Sequence, residues 1–419
     1  MNLLAITTFW ILVGLVVSQG VLVVGFVIAL RRFQRPLLPD DACPRATVVL
    51  CLRGTDPFLP RCVEAILSQD YPDYQVRVIV DSKADPAWEV VERVVAQRGE
   101  SRVRMEVLTA VLPTCSLKCS SLVQVVSSLD DSVEIIAQLD ADTIPHATWL
   151  RELAGGLAGD DIAAATGNRW YMPDDHATGS LIRYLWNAAA VVQMYWYSIA
   201  WGGTLAVKVK AIRQAGLLER WSNAFCEDTM LFAQLRKHGL RVRFVPSLMM
   251  VNRESCDVNG FFHWVRRQLL TARLYHPGWS LVVLHGINTT VFPVFALIVG
   301  IVALVVGNWP AANWSLGGLV LYQAAMIPLL GSMELAMRGI VQSRGENCGW
   351  LSWGKFFRLL ASLPITQGVY ARALLSALVT RRVDWRGVTY RVGGPWKIRL
   401  EEYRPYAPPG NQGPSRHSL

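Results

Sequence analysis

Residues 133–143 read VEIIAQLDADT. A short apolar run containing Ile135 and Ile136 ends in two acids, Asp140 and Asp142. The run reads as a buried strand. Acidic residues just past the carboxyl end of such a strand stand where open α/β sheets bind ligands. Two carboxylates at i and i+2 can share one divalent cation and the phosphates bound to it. The plainer alternative for an Asp-Ala-Asp triplet is a solvated turn.

The sequence upstream repeats the pattern. TVVLCLRG (47–54) is a β-branched apolar run ending in a glycine-containing loop, and YQVRVIVDS (74–82) alternates as a strand and ends on Asp81. VRMEVLTA (103–110) is also strand-like. Between them LPRCVEAILSQDYP (59–72), PAWEVVERVVAQR (86–98) and SLVQVVSSL (121–129) carry apolar residues at helical spacing. Strands alternating with helices predict an α/β domain with a parallel sheet.

Further out, the composition changes. Only 17% of the 419 residues are charged, against about 25% in soluble chains. The deficit lies at the two ends. Residues 3–30 carry no charge and exceed the roughly 20 apolar residues a membrane span needs. The basic residues Arg31, Arg32 and Arg35 follow this run rather than precede it, so it reads as a retained transmembrane helix and not a signal peptide. By the positive-inside rule they face the cytoplasm, with Met1 outside. The apolar segments 281–306 and 315–333, joined by the uncharged GNWPAANW, predict a membrane hairpin that returns to the cytoplasm near Arg338, Arg344 and Lys355. Segment 356–380 is apolar but includes Arg358, Pro364, Gln367 and Arg372. A full span there would place Arg381, Arg382, Arg386 and Arg391 outside, so an interfacial or re-entrant helical segment is expected.

These readings divide the chain into a transmembrane helix and basic flank (1–35), a cytoplasmic catalytic domain (45–280), a hairpin (281–337), an interfacial or re-entrant segment with a basic tail (338–401) and a disordered tail (402–419). The eight cysteines form no CxxC framework and read as reduced structural thiols. The net charge of +9 suits anionic lipid headgroups. With no lysine-rich tail or reader motif, no nucleic-acid partner is expected.

Five further groups can carry chemistry. Asp81, with Asp85 near it, can accept hydrogen bonds from a ribose or base, or simply end a strand in a turn. Glu227 and Asp228 precede a helical stretch, where an acid is either a general base or an N-cap. Lys118 precedes a helix, either solvated or near phosphate, and Trp201-Gly202-Gly203-Thr204 offers glycines where backbone can approach a ligand closely, or an ordinary turn. Finally, FFHWVRRQLLTARLYHPGW (261–279) sets arginines and aromatics against the apolar segment. They are either a ligand wall or cations snorkelling at a membrane surface.

Taken in order, these motifs resemble the family-2 and family-21 glycosyltransferases, and among them the ceramide glucosyltransferase-like membrane enzymes. The resemblance covers roughly 45–280 and, loosely, the membrane segments. It implies a GT-A fold and inverting transfer of a sugar from a nucleotide donor. It also implies that Asp81 contacts a uridine-type nucleotide and that Asp140 and Asp142 hold Mg²⁺ or Mn²⁺ on the diphosphate. Lys118 would assist at the diphosphate. Gly202, Gly203 and Thr204, with Glu227, would lie on the acceptor side, and Asp228 would take the acceptor proton. The family's last motif, (Q/R)xxRW, is altered here. Two registers keep its arginine, His263 to Arg267 with Arg266 at the fourth place and Trp264 to Gln268 with Arg267 there. The second makes Trp264, Arg267 and Gln268 the donor-side residues; both lose the terminal tryptophan.

The resemblance implies a nonprocessive enzyme that adds one sugar to a lipid of the bilayer at its cytoplasmic face. A processive polysaccharide synthase is the alternative within the same fold, and a noncatalytic membrane scaffold the alternative outside enzymes. The altered motif and the three spans weigh against the first, and the retained acids against the second.

Overall fold

The computed structural model describes residues 1–406. Seven strands form the central sheet: β1 (Ala46–Leu52), β2 (Tyr74–Val80), β3 (Val103–Val107), β4 (Ile135–Leu139), β5 (Ile162–Tyr171), β6 (Thr204–Lys208) and β7 (Arg241–Asn252). Their order is β3-β2-β1-β4-β6-β5-β7. The expected parallel sheet is therefore mixed. β1, β2, β3 and β4 run parallel, as do β5 and β7, but β6 is antiparallel to both β4 and β5.

Register decides what meets at the sheet's edge. Leu52 pairs with Val80 and Leu50 with Leu139, so Arg53, Asp81 and Asp140 leave their strands along one edge. Leu139 also pairs with Thr204, so the reversed β6 brings Gly202 and Gly203 to Asp140. Successive side chains on a strand point to opposite faces. Accordingly Val48 and Leu50 join one core and Val49 the other.

Helices cover both faces: α1 (Asn2–Arg32), α2 (Leu59–Leu67), α3 (Pro86–Arg98), α4 (Leu117–Ser127), α5 (Trp149–Gly156), α6 (Thr178–Tyr197), α7 (Val209–Gln214), α8 (Leu217–Trp221), α9 (Leu231–Arg236), α10 (Val258–Tyr275), α11 (Trp279–Val305), α12 (Trp309–Ser343) and α13 (Trp353–Val379). Local sequence sets their ends. Asp85 caps α3 by accepting from the Ala87 N–H, Pro86 opens the helix, and Gly99 closes it in the left-handed conformation. Ser116 caps α4 through the Cys119 N–H, and Asp257 caps α10 through the Gly260 N–H.

α1, α11 and α12 are long and apolar enough to cross a membrane. Their contacts join them to the α/β domain. Val23, Phe26 and Leu30 of α1 pack with residues of α6, α10, α12 and α13 in one cluster. A buried carboxylate on α12 pins the junction: Glu334 accepts from the indole N–H groups of Trp170 (3.0 Å) and Trp350 (2.8 Å) and pairs with Arg338 at 3.1 Å.

The C-terminal region is more ordered than expected. Residues 356–379 of the expected interfacial or re-entrant segment lie within one continuous helix, α13, with Pro364 inside it, so no break in the helix marks a re-entrant turn there. The basic tail and the first residues of the expected disordered tail are ordered. β8 (Arg382–Trp385), β9 (Val388–Gly394) and β10 (Lys397–Glu402) make a second, antiparallel sheet, and 403–406 continue from it. Val383, Val388, Tyr390, Val392 and Ile398 alternate along these strands and enter the core of the catalytic domain. The arginines between them lie on the opposite face, which is why the stretch read as a basic tail. The rest of the expected disordered tail, 407–419, lies outside the described residues.

Candidate active site

The cleft opens at the carboxyl edge of the sheet and collects Asp81, Lys118, Asp140, Asp142, Glu227, Asp228, Trp264, Arg267 and Gln268 among its lining residues. Most of the expected site residues thus converge. Thr204 does not: it is fully buried, and its hydroxyl accepts from the Trp149 indole at 2.6 Å.

Lys118 organises the acids. Its ammonium lies 2.7 Å from Asp140 Oδ1 and 2.7 Å from Glu227 Oε1. Burial opposes its charge, but Asp140 and Glu227 hold its pKa well above the ordinary lysine value. Against burial, the same ammonium holds Asp140 below the usual carboxylate range. Burial pushes Glu227 up to about 7 in spite of Lys118, with Asp228 adding like charge.

The two glycines explain how the backbone fits among these groups. A Cβ on Gly202 would lie 1.9 Å from Glu227 Oε1, and one on Gly203 2.8 Å from Asp140 Oδ2. Any side chain at either position collides. With none there, the Gly202 N–H donates to Asp228 Oδ2 at 2.8 Å. Asp228 Oδ1 accepts from the N–H (2.5 Å) and hydroxyl (3.0 Å) of Thr229. Asp228 is thereby fixed in orientation while lining the cleft, with lone pairs left on Oδ2.

Asp142 is the strained acid. Burial raises its pKa, and Asp140 and Asp56 add like charge. Its own contacts are longer hydrogen bonds, from Thr143 Oγ1 at 3.2 Å and Asn252 Nδ2 at 3.3 Å. A divalent cation between Asp140 and Asp142 would relieve this repulsion, and hard carboxylate oxygens suit Mg²⁺ or Mn²⁺. Among the described residues no group of three or more His, Cys, Asp or Glu could hold a metal. The donor set therefore fits an ion that draws its other ligands from water and phosphate, the usual habit of Mg²⁺.

α10 supplies the opposite wall. Trp264, Arg267, Gln268 and Thr271 line the cleft at i, i+3, i+4 and i+7, one helical face. Arg266 points away and lies 5.7 Å from the Phe262 ring centroid. Helical phase thus puts Trp264, Arg267 and Gln268 of the second register on the cleft face, whereas His263 and Arg266 of the first are not among the lining residues. Burial, with Arg169 and Arg386 nearby, lowers Arg267 to about 10.

Several lining residues are not legible in the sequence, Arg169, Trp385 and Arg386 chief among them. Arg169 lies 4.9 Å from the ring centroids of both Trp201 and Trp264. Trp385 lies beneath the Arg267 guanidinium at 4.6 Å, so a tryptophan does stack in this wall, supplied by the C-terminal sheet. Arg386 follows it at a two-residue turn between β8 and β9, where Arg386 and Gly387 have φ of 49° and 73°. Holding a non-glycine residue there costs on the order of 1 kcal/mol, and its guanidinium faces Asp56 at 3.8 Å. The β-hairpin pattern DWRGV was the available signal.

Glu254, also in the lining, pairs with Arg183 at 2.9 Å. Burial raises it to about 7 despite Arg183. The folded state then holds this proton more tightly than the unfolded chain, so stability falls as pH rises from the ordinary glutamate range through about 7. Glu254→Gln removes that slope. Its Tm, measured against the parent's from pH 5 to 8, is expected to gain a few degrees across the interval, at roughly 2–4 °C per kcal/mol. A constant offset alone would contradict the shift.

A sequence-family model described as Glycosyl transferase family 21 matches residues 7–397. No curated protein matches. Among solved structures, the mannosyltransferase PcManGT from Pyrobaculum calidifontis, in complex with GDP-Man and Mn²⁺, is similar with a TM-score of 0.50 and 16% identity, over 89% of this chain and 99% of that one. Glucosyl-3-phosphoglycerate synthase from M. tuberculosis has a TM-score of 0.36 and 14% identity, over 57% of this chain and 85% of that one. The likeness to the first shows the fold, GT-A.

Proposed function

The chain belongs to glycosyltransferase family 21, and from that premise we propose that it is an inverting, nonprocessive enzyme moving one sugar from a nucleotide-sugar, of the UDP class, to the hydroxyl of a membrane lipid on the cytoplasmic face. One observation carries this reading. Asp140, Asp142 and Asp228 share a cleft whose wall, α10, runs into the apolar helix α11 within four residues, Tyr275 to Trp279. A water-soluble donor and a lipid hydroxyl can meet at such a junction.

Each residue type suits its task. An alcohol is a weak nucleophile and needs a base within hydrogen-bonding reach. Asp228, aimed by Gly202 and Thr229, takes the hydroxyl proton as the acceptor oxygen attacks the anomeric carbon. The sugar–phosphate bond breaks on the opposite face, which inverts the configuration. The departing nucleotide diphosphate is anionic, and Arg267 and Arg386 supply charge-assisted hydrogen bonds to it. Asp140 and Asp142 would hold a divalent cation, which supplies Lewis-acid neutralisation of the diphosphate when bound. Asp81 contacts the nucleoside. Lys118 holds Asp140 ionised and fixes both Asp140 and Glu227 in position instead of reaching the phosphates itself. Gly202 and Gly203 set Asp228 beside the acceptor.

The test is incubation of membranes with labelled UDP-glucose, UDP-galactose, UDP-N-acetylglucosamine and GDP-mannose, followed by separation of products by size. A single lipid-linked sugar is expected; a ladder of long chains would instead indicate a processive synthase. EDTA is expected to reduce transfer to background, with recovery on adding Mg²⁺ or Mn²⁺. Activity indifferent to chelation would overturn the metal assignment of Asp140 and Asp142.

A further inference from the structure

The nucleoside corner of the cleft is filled by the chain itself. Asp81 is only 4% exposed, and protein groups engage both of its oxygens. Arg53 pairs with Oδ2. The Tyr406 backbone N–H donates to the same oxygen at 2.6 Å, and the Tyr403 hydroxyl donates to Oδ1 at 2.9 Å. Arg53 also donates to the Arg404 carbonyl at 2.9 Å and lies 5.8 and 5.7 Å from the ring centroids of Tyr403 and Tyr406.

The Tyr406 ring packs against Gly54, where a Cβ would fall 2.9 Å from ring Cε2. An aromatic ring against a bare backbone, with an N–H directed at a strand-end carboxylate, presents what a nucleobase would present. The space left in the cleft is ≈ 160 Å³, below the about 300–1,000 Å³ usual for small-molecule sites. Asp81 and Arg53 still line that space, so the corner held by the tyrosines is continuous with it.

We propose that residues 403–406 occupy the nucleobase subsite, so that a nucleotide reaches Asp81 only by displacing Tyr403 and Tyr406. The C-terminal segment is then a built-in competitor of the donor. This rests on the reading of Asp81 as a donor contact. Apparent affinity falls by the fraction of molecules whose site is open. A segment seated nine times in ten therefore weakens nucleotide binding about tenfold.

Three measurements on the full chain in detergent test this, with UDP as the probe. In the double variant Tyr403→Phe/Tyr406→Pro, which removes both donors that the segment directs at Asp81, calorimetry is expected to show UDP binding about tenfold tighter than in the parent. A chain ending at Glu402 is expected to behave alike. Unchanged or weaker binding overturns the proposal, weaker binding meaning that the tyrosines form part of the bound site. In the unaltered protein, saturating UDP is expected to speed chymotryptic cleavage after Tyr403 and Tyr406. Slower cleavage overturns the proposal, because the segment would then close over the nucleotide, and this arm needs no variant to fold. In the chain ending at Glu402, Asp81→Ala is expected to lose UDP binding. Binding that persists there overturns the premise about Asp81, which separates its failure from failure of the competitor itself.

Discussion

Membranes carrying Asp228→Asn are expected to transfer sugar about 10²–10⁴-fold more slowly than the parent, the usual contribution of a positioned general base. The substitution is nearly isosteric, and Asn can still accept from the Gly202 N–H that now meets Asp228 at 2.8 Å. UDP affinity should therefore be unaffected, and the loss should fall on kcat. A drop in donor affinity with kcat preserved would place Asp228 on the donor instead. Glu227, one residue earlier, is a poorer base because Lys118 already holds it at 2.7 Å. Glu227→Gln is expected to disturb the Lys118–Asp140 arrangement and to mimic Asp228→Asn only in part.

Lys118→Met should have the largest effect on stability. The ammonium is the cation shared by Asp140 and Glu227, and its side chain is only 15% exposed. Removing one partner of a buried ion pair costs roughly 3–5 kcal/mol, because the other charge is left uncompensated. The expected result is a sharp fall in Tm together with loss of transfer. Adding Glu227→Gln to Lys118→Met removes one of the stranded charges and should recover part of the Tm without restoring activity. If the single variant keeps the parental Tm, the ammonium is not the keystone that its two short contacts indicate.

The sequence made some parts of this site legible and hid others for definite reasons. β1, β2 and β4 are local apolar runs, and the acids that leave them follow directly, so Asp81, Asp140 and Asp142 could be placed from pattern alone. The apolar helices announced themselves by length and lack of charge. The antiparallel β6 did not, since strand direction depends on pairing with β4 and β5 rather than on composition. The register of Trp264 and Arg267 was undecided because two arginines adjoin. Helical phase sets Arg267 on the cleft face and Arg266 beside Phe262.

The C-terminal sheet was obscured by its charged outer face, although Val383, Val388, Tyr390 and Val392 alternate beneath it. Its contribution of Trp385 and Arg386 to the cleft could not be read locally. Nor could the hold of Tyr403 on Asp81, which joins residues 322 positions apart. Such contacts are set by tertiary packing and leave no periodic trace.

The most direct test of the central claim uses the purified full chain in liposomes made from an extract of total membrane lipid, supplied with labelled UDP-sugar and Mn²⁺. The expected result is label in the organic phase on a lipid whose mass has risen by one sugar, lost in Asp228→Asn. Label confined to the aqueous phase, whether as long chains or as untransferred nucleotide-sugar, would contradict transfer to a membrane lipid.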